Sequence, residues 1–278
     1  MKVGLIQFCV GPDPEGNAEQ LETMISKAAE QGCDLVLTPE ASNIIQPDRA
    51  VLNQTVGMAE DDPVFRMAQR VAAQHSILLC LGSLLVQGGI DGKLVNRQIL
   101  LDTTGAVINS YDKIHLFDVN IGDGQHYGES EIFTPGEEAI LSALPDSEAV
   151  LGHTICYDVR FPGLHQTLAM AGANVLLVPA AFTQKTGRAH WHTLLRARAI
   201  ETGSWLLAAG TCGQHAGERR TYGHSCVINP WGEIVAEIAS EDEEGVIVHS
   251  LDFEQVATAR QAIPALENAR TFHLPSSL

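Results

Sequence analysis

Basic residues are scarce in this sequence, and their scarcity restricts the partners that the protein can bind. Lysine and arginine number 17 against 34 aspartate and glutamate residues, so the formal net charge is −17 at pH 7. A surface this acidic repels nucleic-acid phosphates and anionic lipid headgroups, which argues against nucleic acid and membranes as partners. A small-molecule substrate is compatible with this charge, because a few cations inside a pocket reverse the local field.

Long apolar runs and CxxC pairs are also absent. The sequence holds no run of about 20 apolar residues of the kind that a membrane-spanning helix needs. The six cysteines are scattered, and several lie in apolar segments such as Leu78-Leu79-Cys80-Leu81. This pattern is typical of reduced, buried thiols, and the apolar stretch at residues 3–8 is too short for a signal peptide. We therefore expect a cytoplasmic protein without disulfides.

What the chain does contain is a regular alternation of strand and helix patterns. Hydrophobic residues make up 45% of the 278 residues, which is enough for a substantial core. Short apolar runs alternate with segments of helical spacing; Asn17 with Gln20 indicates the start of the first helix, and Gly32 its end. Residues 119–135 lack periodicity and are interpreted as a long functional loop. The sequence predicts one α/β domain over residues 1–278.

Three polar residues with complementary chemistry stand directly after predicted strands. Glu40, Lys113 and Cys156 each lie within two residues of the end of an apolar run. Catalytic sites in open α/β sheets favour the carboxyl ends of strands, so we expect these side chains to meet. Each alone has an ordinary interpretation, because most cysteines in apolar strands belong to the core. The prediction of a site rests on their joint occurrence.

Together these side chains are the parts needed to cleave an amide through a thioester. The Cys156 thiolate is a nucleophile, and a nearby cation such as Lys113 lowers a thiol pKa. Lys113 also stabilises the oxyanion of the tetrahedral intermediate. Glu40 can accept the thiol proton, pass it to the leaving amine and then activate water.

The sequence around these residues resembles the nitrilase superfamily of carbon–nitrogen hydrolases over residues 3–270. Glu40 in Leu-Val-Leu-Thr-Pro-Glu, Lys113 in Tyr-Asp-Lys-Ile-His-Leu-Phe-Asp and Cys156 in Ile-Cys-Tyr-Asp-Val-Arg-Phe-Pro match the Glu-Lys-Cys triad of that family. Glu129, shortly before Thr-Pro-Gly, matches its second glutamate, which positions substrate and water near the lysine. The resemblance implies a four-layer α-β-β-α sandwich without a cofactor. It also implies a homodimer built on helices that flank the active site.

Two further segments favour one branch of this superfamily. Residues 186–201 and 222–232 resemble the amidases that cleave deaminated glutathione to 2-oxoglutarate and cysteinylglycine. The related ω-amidases, which act on 2-oxoglutaramate, and N-carbamoyl-amine hydrolases are alternatives. A binding protein of the same fold that has lost the chemistry is a fourth. Gly163 and Thr211 depart from residues that many relatives carry, which weakens the assignment of the exact substrate.

A substrate with a carboxylate and a 2-oxo group needs a cation. Arg160, four residues after Cys156, is the candidate, because a guanidinium binds a carboxylate through two parallel hydrogen bonds. An ion pair with Asp158 or Glu201 is the structural alternative for this arginine. Thr183 and Tyr157 are the other substrate-binding candidates.

Histidines suggest two further chemistries. His115 and His153 could act as bases for the cysteine, as in Cys-His hydrolases, but the resemblance assigns that role to Glu40. His190 and His192 suggest a metal. Residues at i and i+2 lie on different faces of a helix, and no carboxylate cluster accompanies them, so we expect no metal site.

Overall fold

A computed structural model describes residues 1–122 and 127–274. Its strands are β1 (Lys2–Gln7), β2 (Leu35–Leu37), β3 (Leu78–Gln87), β4 (Leu94–Leu101), β5 (Val107–Asp112), β6 (Asp118–Val119), β7 (Tyr127–Gly128), β8 (Leu141–Ala143), β9 (Val150–His153), β10 (Val175–Leu177), β11 (Trp205–Ala208), β12 (Cys212–Gln214), β13 (Arg220–Tyr222), β14 (Cys226–Ile228), β15 (Ile234–Glu237) and β16 (Gly245–Ser250). Its α-helices are α1 (Pro14–Glu30), α2 (Arg49–Thr55), α3 (Pro63–His75), α4 (Pro162–Met170), α5 (Gln184–Thr202) and α6 (Glu254–Ala262).

Two six-stranded sheets form the centre of the molecule. The first has the order β16-β1-β2-β3-β4-β5, and the second has the order β15-β14-β11-β10-β9-β8. In each sheet three central strands are parallel, β1-β2-β3 in one and β9-β10-β11 in the other, and the outer strands are antiparallel. Parallel strands of a sheet end at the same edge; at that edge β2 of the first sheet leads into Glu40, and β9 of the second sheet leads into Cys156.

The sheets pack face to face, and helices cover their outer faces. Leu5 and Leu37 of the first sheet share one buried cluster with Leu151, Leu177 and Leu207 of the second. A second cluster joins the first sheet to α1 and α3, and a third joins the second sheet to α4 and α5. The layer order is therefore α-β-β-α, as the resemblance implies, and each sheet is buried on both faces.

The first helix begins earlier than its sequence pattern indicates. Asp13 is the N-cap, and its carboxylate accepts hydrogen bonds from the backbone N–H groups of Glu15 and Gly16. Pro14 follows at the first helical position, where its missing N–H has no cost. The predicted start at Asn17 is wrong; that side chain is buried and bonds to the backbone of Gly11 and Asn43.

The predicted loop at residues 119–135 has regular structure at both ends. Asp118 pairs with Gly128 in the β6–β7 ladder, and a 3₁₀ turn covers Glu129–Glu131. Residues 123–126 of this loop, and residues 275–278 of the C-terminal tail, lie outside the described residues. Among the helices that the structure describes, none has the length and apolar character needed to cross a bilayer.

Candidate active site

A sharp turn presents Cys156, the predicted nucleophile, after β9. Cys156 has a φ of +49°, in the left-handed region that non-glycine residues rarely adopt. The turn is fixed by two hydrogen bonds: the N–H of Cys156 donates to the carbonyl of Pro179 at 2.8 Å, and the N–H of Ile155 donates to Asp158 Oδ2 at 2.8 Å. The thiol is thereby held at the carboxyl edge of the parallel strands.

A buried aspartate ties the cysteine turn to the lysine loop. Asp158 accepts hydrogen bonds from the Tyr111 hydroxyl at 2.6 Å and from the backbone N–H of His115 at 3.1 Å. The Nδ1 atom of His115 lies 2.7 Å from the same carboxylate, and its ring stacks on Phe161. His115 therefore supports the loop that carries Lys113. His153 is fully buried against Gln98 and Ser142.

The Glu40 carboxylate accepts hydrogen bonds from three other residues of the site. Its Oε1 accepts hydrogen bonds from Lys113 Nζ and Asn96 Nδ2, both at 2.9 Å, and its Oε2 accepts one from the N–H of Ala181 at 2.7 Å. The Cys156 thiol interacts electrostatically with the same carboxylate. Burial alone raises the pKa of Glu40, but the Lys113 charge and these hydrogen bonds outweigh it and hold that pKa below its ordinary value.

Lys113 joins two carboxylates. Its Nζ donates to Glu40 and also lies 2.9 Å from both oxygens of Glu129, whose Oε2 accepts from the N–H of Phe117 at 2.7 Å. Burial lowers the pKa of Lys113, but the charges of Glu129 and Glu40 reverse this and raise it well above its ordinary value. The ammonium is therefore charged throughout the neutral range.

The cysteine is a neutral thiol in this environment. Burial and the Glu40 charge raise the pKa of Cys156 well above its ordinary value, and Lys113 only partly opposes them. Lys113 does lower the pKa of the thiol, as expected from the sequence. Burial and the charges of Glu40 and Glu129 raise that pKa by more. The site thus holds a protonated thiol beside an ionised carboxylate, an arrangement that suits proton transfer from sulfur to oxygen.

Two cavities meet at these residues. A small one of about 20 Å³, with room for a single water, is bordered by Cys156, Lys113, Tyr157 and Thr183. A larger one of about 390 Å³ extends from Glu40 and Asn96 toward α2. Both are lined by Glu40, Phe117, Glu129, Ala181 and Arg219.

Comparison with known proteins agrees with this geometry. The family model described as carbon-nitrogen hydrolase matches residues 2–261. The chain belongs to the carbon-nitrogen hydrolase family. It is a hydrolase that uses water to cleave a carbon–nitrogen bond in a small-molecule amide.

Relatives and solved structures extend this match along the whole chain. The deaminated glutathione amidase of Yersinia enterocolitica is 35% identical over 96% of this chain and 92% of that protein. The crystal structure of the Caenorhabditis elegans NitFhit protein superposes with a TM-score of 0.88 at 35% identity, over 97% of this chain and 65% of that chain. The crystal structure of Saccharomyces cerevisiae Nit3, described as a member of branch 10 of the nitrilase superfamily, superposes with a TM-score of 0.83 at 29% identity. The match covers 95% of this chain and 94% of that chain.

The predicted substrate-binding residues of the hydrolase divide into two groups. Tyr157 and Thr183 line the small cavity, and the Thr183 side chain also caps α5. Arg160 lines neither cavity. Its guanidinium lies 5.1 Å from the centre of the Phe182 ring and 5.9 Å from that of Tyr157, at the outer border of the site. In the described part of the chain neither ion pair considered for this arginine is formed.

Sequence reasoning missed Arg219, the arginine that lines both cavities of the hydrolase. Its Nη2 donates to the carbonyl of Ala181 at 3.2 Å, and its buried Nε has no partner among the residues that the structure describes. It lies between a 3₁₀ turn and β13 in the run Gly217-Glu218-Arg219-Arg220, which has the composition of an ordinary polar turn. No local signal separates Arg219 from Arg220, whose side chain pairs with Asp242.

One histidine has partners that sequence spacing does not predict. His192 Nε2 and His224 Nδ1 lie 2.7 and 2.9 Å from the same Oε1 of Glu237. Two imidazoles and a carboxylate are a donor set that suits zinc, and their ligand atoms lie within 4.8 Å of one another. The expectation that no carboxylate accompanies these histidines is therefore wrong for His192, because Glu237 contacts it. His190 lies instead beside Arg160, with ring Nδ1 and Nη1 3.2 Å apart.

Proposed function

We propose that this hydrolase cleaves deaminated glutathione through a thioester on Cys156. The products are cysteinylglycine, released first, and 2-oxoglutarate, released from the thioester by water. The observation that carries the mechanism is the position of one buried carboxylate, Glu40, which accepts a hydrogen bond from the Lys113 ammonium and borders the same small cavity as Cys156. The substrate assignment is supported by relatives with that name at 32–36% identity.

Acylation uses the three groups together. Glu40 accepts the thiol proton as the sulfur of Cys156 attacks the amide carbonyl, and Lys113 stabilises the tetrahedral oxyanion. Glu40 then gives that proton to the amide nitrogen, and the carbon–nitrogen bond breaks. The amine leaves and the acyl group stays on sulfur as a thioester.

Deacylation reuses the same carboxylate. Glu40 takes a proton from water, and the resulting hydroxide attacks the thioester carbonyl under the same Lys113 charge. The thiolate departs and receives the proton back from Glu40. Glu129 holds Lys113 in place through its two oxygens and borders the space that the water enters.

Tyr157 and Thr183 are proposed to contact the acyl arm, with Arg160 near its carboxylate. The small cavity of about 20 Å³ holds the carbonyl oxygen or a water but not a five-carbon arm. The acyl arm therefore needs space that opens on binding. The larger cavity is already formed, and it accommodates a dipeptide amine, which favours the tripeptide analogue over 2-oxoglutaramate.

The test is release of 2-oxoglutarate from deaminated glutathione and from 2-oxoglutaramate, side by side, with Cys156→Ala as the blank. We expect kcat/KM to be at least about 10-fold higher for the tripeptide analogue, because only this substrate fills the large cavity. The opposite preference would make the chain an ω-amidase. Activity on neither substrate, with turnover of an N-carbamoyl amine, would assign it to that branch.

We also propose a cytoplasmic, single-domain homodimer built on α4, α5 and the C-terminal tail. The described cysteines are all free, and Met170 at the end of α4 and Ile200 on α5 are exposed. Light scattering coupled to size exclusion tests the assembly. A dimer that Ile200→Glu converts to monomer supports this surface, whereas a dimer unaffected by Ile200→Glu and Met170→Glu excludes it.

A further inference from the structure

Two buried side-chain atoms beside the large cavity lack a hydrogen-bond partner. Within residues 1–122 and 127–274, the buried side-chain polar atoms without a partner are Asn96 Oδ1, His165 Nε2 and Arg219 Nε. Asn96 and Arg219 both line the large cavity, whereas His165 lies on α4. A buried polar atom without a partner is destabilising, and a ligand that supplies the partner recovers that loss.

The unpartnered atom of Asn96 is an acceptor beside the proposed proton carrier. Its Nδ2 donates to Glu40 Oε1 at 2.9 Å, and an ionised carboxylate can only accept, so the orientation of the amide group is fixed. The Oδ1 atom is thus available to a donor in the cavity. The N–H of a substituted amide is such a donor, and in the proposed reaction its nitrogen must lie at Glu40 to receive the proton.

Because the amide nitrogen must lie at Glu40, the large cavity is the space into which the leaving amine extends. Glu40 protonates the departing amine, and the cavity opens from Glu40 and Asn96. Its further walls are largely apolar and suit a small side chain such as that of cysteine; they include Ile44, Ile45, Leu52, Leu85, Ile132 and Phe133. Among the described residues that line it, the charged ones are Glu40, Glu129 and Arg219.

We propose that Arg219 binds the carboxylate of the leaving group, while Asn96 accepts the amide N–H. The hydrolase then selects amides whose amine part is a dipeptide-like acid, such as cysteinylglycine, over unsubstituted amides. This assignment rests on the proposed function. The bond from Arg219 to the Ala181 carbonyl orients the guanidinium before substrate arrives, and the Nε–H that lacks a partner can donate to a carboxylate oxygen.

A purely structural role for Arg219 makes a different prediction. The Ala181 backbone links the two groups, because its carbonyl accepts from Arg219 and its N–H donates to Glu40 at 2.7 Å. If Arg219 only held this segment, its loss would disturb Glu40 and slow every substrate by a similar factor. Carboxylate binding instead affects only substrates that carry the leaving-group carboxylate.

The experiment compares kcat/KM for three substrates: deaminated glutathione, its analogue with a C-terminal glycinamide, and 2-oxoglutaramate. Wild type should lose about 30-fold or more when the glycine carboxylate becomes an amide, as expected for a charge-assisted pair. Arg219→Gln should lose about 30-fold on deaminated glutathione and less than about 3-fold on the other two. Arg219→Lys should recover part of the loss, because lysine keeps the positive charge but cannot form two parallel hydrogen bonds to the carboxylate.

Arg220→Gln is the matched control, since the neighbouring arginine bonds to Asp242 and lines neither cavity. It should leave all three rates unchanged. Equal losses on all three substrates in Arg219→Gln, or no loss on any, would overturn the assignment while leaving the proposed function intact. Wild-type inactivity on all three would overturn the proposed function and this assignment with it. The glycinamide comparison uses the unaltered protein, so it does not depend on folding of a variant.

Discussion

Glu40 and Glu129 share one lysine but differ in their surroundings. Both accept hydrogen bonds from Lys113 Nζ at 2.9 Å. The Glu40 side chain is 5% exposed, and its charge acts more strongly on the pKa of Cys156 than the charge of Glu129 does. The Glu129 side chain is 24% exposed and bonds to the backbone of Phe117. We therefore propose two roles for carboxylates that contact the same cation. Glu40 moves a proton to and from the reacting atoms, and Glu129 positions the ammonium.

The charges of the site explain why Glu40, and not Cys156, is ionised before a substrate binds. One ammonium faces two carboxylates, so the cluster keeps a negative charge. Lys113 holds the pKa of Glu40 below its ordinary value in spite of burial. The same carboxylate raises the pKa of Cys156. A thiolate is thus disfavoured until the carbonyl arrives and Glu40 takes the proton.

Replacing Glu40 should have the largest effect. Glu40→Gln keeps the shape and some hydrogen bonds but removes the proton acceptor, so kcat should fall by about 10²-fold or more. Acylation should slow by the same factor in single-turnover measurements by rapid quench. A variant that acylates at a near-normal rate would show that another group takes the thiol proton.

Removing the shared lysine should affect both activity and folding. Lys113→Met should lower kcat by about 10²-fold or more, because the oxyanion loses its cation. It also leaves the buried Glu40 and the partly exposed Glu129 without their shared cation, so we expect a loss of about 3–5 kcal/mol in the free energy of unfolding in urea. The exposed Lys27→Met on α1 is the control and should change neither quantity. Unchanged stability in Lys113→Met would contradict the charged cluster.

Glu129→Gln should have a smaller effect that sharpens the comparison. The substituted amide still reaches Lys113, so we expect kcat to fall by about 10-fold, well short of the effect at Glu40. Glu131→Gln, on the same 3₁₀ turn, should retain activity within about 2-fold. If Glu129→Gln matched Glu40→Gln in acylation rate, the division of roles would be wrong.

The smallest expected effect is on the pH dependence of thiol alkylation. Glu40 raises the pKa of Cys156 more strongly than Glu129 does. Removing either negative charge lowers the thiol pKa, so the midpoint of iodoacetamide labelling should move to lower pH, and further for Glu40→Gln than for Glu129→Gln. Mass spectrometry of the peptide that holds Cys156 measures this midpoint. A shift to higher pH in Glu40→Gln would contradict the sign.

The sequence allowed the triad to be predicted because strand ends carry positional information. Glu40, Lys113 and Cys156 each follow an apolar run that forms a strand. The strands before Glu40 and Lys113 belong to the first sheet and the strand before Cys156 belongs to the second, and the packing of the two sheets brings these strand ends together. The four-layer order followed from the family resemblance rather than from periodicity. Local reasoning was weaker at helix ends, where Asn17 fits a capping pattern but Asp13 makes the hydrogen bonds.

Arg219 and Asn96 could not be found in this way. Arg219 reaches the cavity only because the chain after β12 folds back against the Ala181 segment, 38 residues away in sequence. Asn96 lies inside β4, and only its neighbour Glu40, 56 residues earlier, gives its side chain a role. Long-range contacts of single polar residues leave no periodic signal in the sequence. Arg160 was predicted instead because it is close to Cys156 in sequence.

The central claim is that turnover passes through a thioester on Cys156 formed with the help of Glu40. Quenched-flow samples with deaminated glutathione, digested and measured by mass spectrometry, test it directly. We expect a 2-oxoglutaryl adduct on the Cys156 peptide that forms before steady state, decays as substrate is consumed, and forms at least about 10²-fold more slowly in Glu40→Gln. Turnover without an adduct on this peptide, or continued turnover in Cys156→Ala, would contradict the account.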